Sequence, residues 1–345
     1  MRNKEFGSDF HFITDNKLIN HYSLNNLENF VDQFYFSGRV ALYEILKFGI
    51  EQKGWDKLYV PSYYCHEVYH FIRNLNISIE FFSYNPFDDQ NDFQIIDEVQ
   101  NVILKVNYFG IVSPNFQHLN NASVIDDITH NLSLLETSTA DFIFGSLRKV
   151  LPIPVGGFVK SKFQLRKLNS NELVDDIAMR KYTAMYLKSE FLKGNLHSKD
   201  LFRKFFIDAE NNFENRLTVA GMPPSTKSYL DTIAYHDIIE VKKSNLKLLK
   251  QKILPNTYFS IFSSENNTDF ACILKFTDTE KRNDLRNHLI KSNIFPMVLW
   301  PNQIQSNDII IEQTILFIHV DYRYHKEDIN YIAETINEFI KINHV

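Results

Sequence analysis

Asp141-Phe142-Ile143-Phe144-Gly145-Ser146-Leu147-Arg148-Lys149 is the stretch on which the reading of this chain turns. Its apolar run has the length of a buried strand, and it delivers first a serine and then a lysine. A lysine just past a buried strand is placed for Schiff-base chemistry, because burial or nearby positive charge lowers its pKa and exposes the free amine. Far more often such a lysine is a plain surface residue, so its neighbours have to decide. Downstream, Pro152-Ile153-Pro154-Val155-Gly156-Gly157 reads as a stiff turn that stops the chain after Lys149.

Just upstream, Ile125-Asp126-Asp127-Ile128-Thr129-His130 ends another apolar run in two aspartates. Successive side chains of an extended segment point to opposite faces, so the two aspartates serve different ends, and Asp126 reads as structural. A carboxylate at the mouth of a sheet can pair with a protonated ring nitrogen, and His130 can bond a neighbouring hydroxyl. Helix capping or a divalent metal are the other uses of such a pair. Further upstream, Ser37-Gly38-Arg39-Val40-Ala41-Leu42 passes from a loop into a helix whose apolar face continues through Ile45, Leu46 and Phe48. Free N–H groups and the dipole of a helix start suit a phosphate, and Gly38 lets the backbone come close. An ordinary cap at Ser37 has the same sequence.

Around these segments, strands are predicted at residues 57–60, 77–84, 102–108, 124–127 and 142–146, with a helix at 66–75 and a return strand at 157–160. Strands alternating with helices imply a mainly parallel sheet covered on both faces, with ligands beyond the carboxyl ends of the strands. Residues 170–216 read as long, helical and charged. Pro223-Pro224 interrupts them, a helix follows through Leu249, and Pro255 marks a boundary. Strands at 258–262, 270–276 and 315–320 and helices at 281–292 and 326–342 complete a small α+β unit. The expected division is an N-terminal arm and large domain over residues 1–254 and a small C-terminal domain over 255–345.

Composition narrows the function. With 345 residues, 44% hydrophobic and 23% charged, the chain has the balance of a two-domain globular protein. A net charge of -5 and only isolated basic pairs give no nucleic-acid footprint. The 10 glycines form neither GxGxxG nor GxxxxGK[ST], so the usual dinucleotide and nucleoside-triphosphate loops are missing. Cys65 and Cys272 suggest neither a disulfide framework nor a cysteine zinc site, and no metal is expected. A polar start and the lack of any apolar run of membrane length make the cytoplasm the expected compartment.

Together these segments resemble the fold-type I enzymes that use pyridoxal 5'-phosphate, and most closely the DegT/DnrJ/EryC1/StrS sugar aminotransferase family. The order agrees: Ser37-Gly38-Arg39, then Val60-Pro61-Ser62-Tyr63-Tyr64, Asn107-Tyr108-Phe109-Gly110, Asp127-x-x-His130, Ser146-x-x-Lys149 and Gly156-Gly157. Leu299-Trp300-Pro301 and Asp321-Tyr322-Arg323-Tyr324 also look like a branch of that family. The resemblance implies an α/β fold, with a mainly parallel central sheet between helices and a small α+β domain. It implies that Lys149 carries the cofactor and shuttles protons, that Asp127 keeps the pyridine nitrogen protonated, and that His130 stands beside the ring. The Gly38 and Arg39 amides and Ser146 would bind the phosphate. Tyr64 is the choice for the aromatic that stacks on the ring, with Cys65 and His66 as alternatives.

Three features depart from the family pattern. Arg39 replaces the threonine of Ser-Gly-Thr, fewer residues separate Ser146 from Lys149, and no Gly-rich continuation follows Gly157. The activity implied is transfer of an amino group from glutamate to a nucleotide-linked keto sugar, for polysaccharides or glycosylated metabolites. Members that dehydrate sugars carry histidine in place of the lysine, so Lys149 points to transamination. The family's sites lie between subunits, which implies a homodimer, and Phe191, Phe202, Phe205 and Phe206 exceed what a free surface needs. A pyridoxal-phosphate enzyme acting on a non-sugar substrate and a cofactor-free scaffold of the same fold are the competing readings.

Overall fold

The apolar runs around Asp127 and Lys149 become interior strands of a seven-stranded sheet. In chain order the sheet comprises β2 (Gln33–Tyr35), β3 (Lys57–Pro61), β4 (Ser78–Phe82), β5 (Asn101–Val106), β6 (Ser123–Asp127), β7 (Phe142–Ser146) and β8 (Gly157–Ser161). Across the sheet the order is β2-β8-β7-β6-β5-β3-β4, with β4, β3, β5, β6 and β7 parallel and β8 antiparallel to β7 and β2. The structure is a computed structural model that describes residues 4–7, 9–13, 18–19, 27–88, 91, 93–215, 218–262 and 269–343. Residues 1–3, read above as part of a polar start, and Arg216, the expected end of the long helical stretch, lie outside the described residues.

Continuous burial explains the apolar strands. Val102, Ile103 and Leu104 of β5, and Phe142, Ile143 and Phe144 of β7, are all buried, which is the requirement of a sheet covered on both faces. Helix α1 (Gly38–Lys53) packs against β7 and β8. Its Val40, Ala41, Leu42, Ile45 and Leu46 form the buried face, and the Ser37 hydroxyl accepts the Val40 amide at 3.3 Å as its cap. Short helices α2 (His66–Ile72) and α3 (Leu134–Thr137) connect strands.

The stretch expected to be one helical run is two helices, α4 (Glu172–Leu192) and α5 (Asp200–Asn215), packed against each other. Gly194, with φ +87°, lies in the turn between them, where the chain leaves the helical direction. Phe191, Phe202 and Phe206 are buried in the cluster between these helices and Phe205 packs against it, so this aromatic surplus is consumed within the chain. The apolar side chains that α4 and α5 leave exposed are Met179, Tyr186, Leu201 and Ile207.

After α6 (Pro224–Leu230) and α7 (Tyr235–Lys252) comes a three-stranded antiparallel sheet of β9 (Phe259–Phe262), β10 (Ala271–Phe276) and, farther along, β12 (Ile315–His319), in the order β12-β10-β9. Period-two alternation divides its side chains cleanly. Ala271, Ile273, Ile315 and Phe317 join the core of the large sheet. Cys272, Leu274, Leu316 and Ile318 join a second cluster, together with Leu246 and Leu249 of α7 and residues of α8 (Thr279–Lys291) and α10 (Lys326–Asn343). Helix α9 (Ser306–Thr314) leads into β12. Near the chain start, β1 (Phe6–Gly7) pairs in parallel with β11 (Ile294–Phe295), which ties the arm to this region.

Candidate active site

The carboxyl ends of β5, β6 and β7 converge on one cavity of about 380 Å³. It is lined by all seven residues to which the resemblance gives a catalytic or cofactor-binding role: Gly38, Arg39, Tyr64, Asp127, His130, Ser146 and Lys149. Lys149 closes a single 3-10 turn, Leu147–Lys149, that follows β7 directly. Leu147 and Val150 are buried on either side of the turn, and Lys149 itself stays accessible. Its amine makes no hydrogen bond or ion pair among the described residues. The Arg148 guanidinium, and then desolvation by the protein around the cavity that the amine faces, bring the Lys149 pKa down from 10.5 to about 8, against the pull of Glu210 and Glu214. Near neutral pH a useful fraction of this amine is therefore unprotonated.

Asp127 and Asp126 part as alternation requires. Asp126 pairs with Lys105 at 3.0 Å and accepts the Ser138 hydroxyl at 2.6 Å. Asp127 lies in the cavity wall, where Oδ1 accepts the Thr129 amide at 2.9 Å and the Thr129 hydroxyl at 2.6 Å, and Oδ2 accepts the Tyr64 hydroxyl. Burial pushes the Asp127 pKa up, and the Thr129 and Tyr64 hydrogen bonds, which favour the charged form, oppose it. Tyr64 thus reaches the carboxylate with its hydroxyl. Cys65 also lines the cavity, whereas His66 does not. His130 is buried, its ring 4.0 Å from that of Phe270 and stacked at 5.7 Å on Trp300. Burial, with Lys149 and Lys242 nearby, holds its imidazole at about 3, so it is neutral at physiological pH.

The start of α1 also lines the cavity. The Val40 amide is spent on the Ser37 cap and the Ala41 amide on the Ser37 carbonyl, which leaves the Gly38 and Arg39 amides without intrahelical acceptors. The approach to the sheet is close. A Cβ on Gly157 would lie 2.4 Å from the Gly38 nitrogen, and one on Gly38 would lie 3.0 Å from the Ser146 Cβ. Only glycine at 157 lets α1 start this near to β8.

The Arg39 guanidinium pairs with Glu214 at 2.8 Å. That pair begins a charge ladder along α5. Arg148 bonds Glu210 at 3.0 Å and approaches Glu214 at 3.9 Å, and Lys181 bonds Glu210 at 2.6 Å. The Phe213 ring lies among the three cations, 4.6 Å from Arg39, 4.3 Å from Arg148 and 5.3 Å from Lys181. Burial alone would push Glu210 up, but Arg148 and Lys181 more than reverse it and hold its carboxyl at about 2. None of Lys181, Glu210, Phe213 and Glu214 was identifiable from sequence, because charges spaced three and four apart on a helix are the mark of a solvated face. A second cavity, of about 450 Å³, adjoins the first at Arg148, Lys149, Phe270 and Met297 and adds Lys181, Lys242 and Arg323. Lys149 stands at the junction.

No family model matches the chain, and no curated protein matches it. Solved structures do. A sugar aminotransferase of Streptococcus pneumoniae in its apo form aligns over 99% of this chain and 98% of that one, with a TM-score of 0.65 at 13% identity. The chain has the fold of the sugar aminotransferases. PseC of Helicobacter pylori, an aminotransferase involved in the biosynthesis of pseudoaminic acid, aligns over 98% and 100% with a TM-score of 0.62 at 12% identity. A DegT DnrJ EryC1 StrS aminotransferase from Brucella abortus aligns over 91% and 88% with a TM-score of 0.58 at 11% identity. The resemblance read from the motifs is thus met at the level of the fold, including the mainly parallel sheet between helices.

Proposed function

We propose that this chain is a pyridoxal-phosphate-dependent aminotransferase that moves an amino group from glutamate to a nucleotide-linked keto sugar. One observation carries the reading: an unpaired lysine amine with a lowered pKa shares a single cavity with a fixed carboxylate and an open helix start. This donor set fits pyridoxal phosphate. The free Gly38 and Arg39 amides and the Ser146 hydroxyl suit the phosphate, the Asp127 carboxylate suits a protonated ring nitrogen, and Lys149 suits the aldehyde carbon.

When bound, the cofactor supplies an electron sink for the electron pair left when a proton departs beside the amino nitrogen. The chain supplies the rest. Asp127 would hold a proton on the ring nitrogen, and its Thr129 and Tyr64 bonds favour the charged form of the carboxylate and fix its position. His130, neutral, stands in the same cavity as a hydrogen-bonding partner. Lys149 would hold the aldehyde carbon through its amine, and that amine, with a pKa of about 8, would be suited to take and return the proton near working pH. The apolar shelter of Phe270 and Trp300 keeps water from competing. In the adjoining cavity Lys181, Lys242 and Arg323 are paired with Glu210, Asp269 and Asp321. With Arg148 and Lys149 beside them, basic side chains outnumber acidic ones in the lining, which supports an anionic substrate such as glutamate or a nucleotide sugar.

The same reading makes the protein a cytoplasmic homodimer with a large domain through residue 254 and a small one beyond it. Exposed Met179, Tyr186, Leu201 and Ile207 support association through α4 and α5. No helix among the described residues is long and apolar enough to cross a membrane. The test is direct. Protein incubated with pyridoxal phosphate and glutamate is given a panel of nucleotide-linked keto sugars, and 2-oxoglutarate and amino sugar are measured. Equal amounts of both with at least one sugar support the proposal. Release of 2-oxoglutarate only with non-sugar ketones contradicts its substrate half.

A further inference from the structure

Both oxygens of the Asp127 carboxylate are engaged by this chain, and one donor does more than hold it. The Thr129 hydroxyl has a single proton, which it donates to Asp127 Oδ1 at 2.6 Å. Its oxygen in turn accepts the Ser146 amide at 3.0 Å. The need for that second bond follows from the sheet. On the β6 side the register of β7 runs only to the pairing of Asp127 with Phe144, so no β6 residue is paired with Ser146. Thr129 takes over where the ladder stops.

The consequence is geometric. Asp127 and Ser146 both line the cavity, and Ser146 lies against Gly38 and leads in three residues to Lys149. A single hydroxyl joins these two anchor points. We propose that Thr129 is a positioning residue, whose hydroxyl sets the spacing between the carboxylate and the phosphate-binding serine and fixes the orientation of the carboxylate. The inference rests on the cofactor reading given above. It assigns a role that the Asp-x-x-His motif leaves unspecified, because only its first and last residues carry the chemistry.

Two variants separate the hydroxyl from the shape of the side chain. Thr129→Val keeps the volume and the backbone amide bond to Asp127 but removes the hydroxyl, and Thr129→Ser keeps the hydroxyl. Each apo-protein is titrated with pyridoxal phosphate, and the visible band of the bound form is then followed against pH. Loss of a hydrogen bond to a charged group predicts binding at least about tenfold weaker in Thr129→Val. The pH midpoint of the band should also rise. Without the Thr129 donor the ionised form of Asp127 is less favoured, so a protonated ring nitrogen would be less well balanced, and with less positive charge on the ring the chromophore would keep its own proton to higher pH.

Thr129→Ser should restore affinity to within about threefold and return the midpoint. A purely structural role would lower the melting temperature without moving the midpoint. Wild-type affinity and midpoint in Thr129→Val would overturn the inference, as would a Thr129→Ser variant as impaired as Thr129→Val. Failure of the wild type to bind pyridoxal phosphate at all would overturn the cofactor reading and this inference with it.

Discussion

Replacing Arg148 with methionine should raise the pKa of its neighbour Lys149, and the size of the effect follows from the site. Arg148 is the first cause of the drop from 10.5 to about 8, ahead of burial. It also bonds Glu210 at 3.0 Å and approaches Glu214 at 3.9 Å, so its loss leaves two carboxylates less compensated near the amine. Both effects act in the same direction. With a pKa of about 8, roughly one amine in ten is free at pH 7; at the ordinary value it would be about one in three thousand. A rise of even about one unit lowers the free fraction roughly tenfold. Methionine keeps an unbranched apolar side chain in place of the guanidinium that lies 4.3 Å from the Phe213 ring. Competitive labelling with trace acetic anhydride over pH 6 to 11, with Lys149 quantified by peptide mass, reads the titration without any cofactor. The midpoint should lie near 8 in the wild type and about one unit or more higher in Arg148→Met. Pyridoxal phosphate capture should slow at pH 7 and recover above pH 10, where both amines are free. An unchanged midpoint would refute the assignment of Arg148 as the residue that activates Lys149.

Asp127→Asn should cost about a hundredfold in turnover, the usual loss for one strong electrostatic contact in a site, whereas Asp126→Asn should cost less than about threefold. Equal losses in steady-state assays would show that the roles of the two aspartates are misassigned. Light scattering should give a dimer at micromolar concentration, and Ile207→Asp with Leu201→Asp should shift it toward monomer; a wild-type monomer would count against association through α4 and α5. Glu214→Gln should release Arg39 from its 2.8 Å ion pair and make inorganic phosphate a better competitor of cofactor uptake, by a few-fold in a titration. No change would mean that Arg39 does not reach the phosphate site.

Much of the large sheet was legible because its strands are buried on both faces and stand out as apolar runs between breakers. Pro61 and the two aspartates end β3 and β6 as read from the sequence. The run from residue 102 was expected to continue to 108, but β5 ends at Val106, and the chain then turns at Phe109 with φ +57°. An apolar run cannot reveal such a turn, because Tyr108 and Phe109 are as buried as the strand. Strands β1, β2 and β11 have two or three residues each, too few for any period to show. In α9, Ile309-Ile310-Ile311 favours a strand locally, and its place in the fold overrides that propensity.

The site divides in the same way. Asp127, His130, Ser146 and Lys149 follow strand ends, where a polar residue after an apolar run draws notice. Thr129 lay in plain view between two of them, but nothing in the sequence distinguishes a hydroxyl that bridges two strands from one that meets water. Phe270 and Trp300 come from segments more than a hundred residues away, and only the folded chain brings them to His130. The ladder on α5 is the clearest case. Glu210, Phe213 and Glu214 share one helix face by spacing, but the spacing says nothing of what that face meets.

The most direct measurement is chemical. The protein is incubated with pyridoxal phosphate, reduced with borohydride, digested and mapped by mass spectrometry. The account predicts a visible band that disappears on reduction and a phosphopyridoxyl group on Lys149 alone, with no band and no label in Lys149→Ala. A label at another lysine, or a Lys149→Ala variant with near-normal activity, would contradict it.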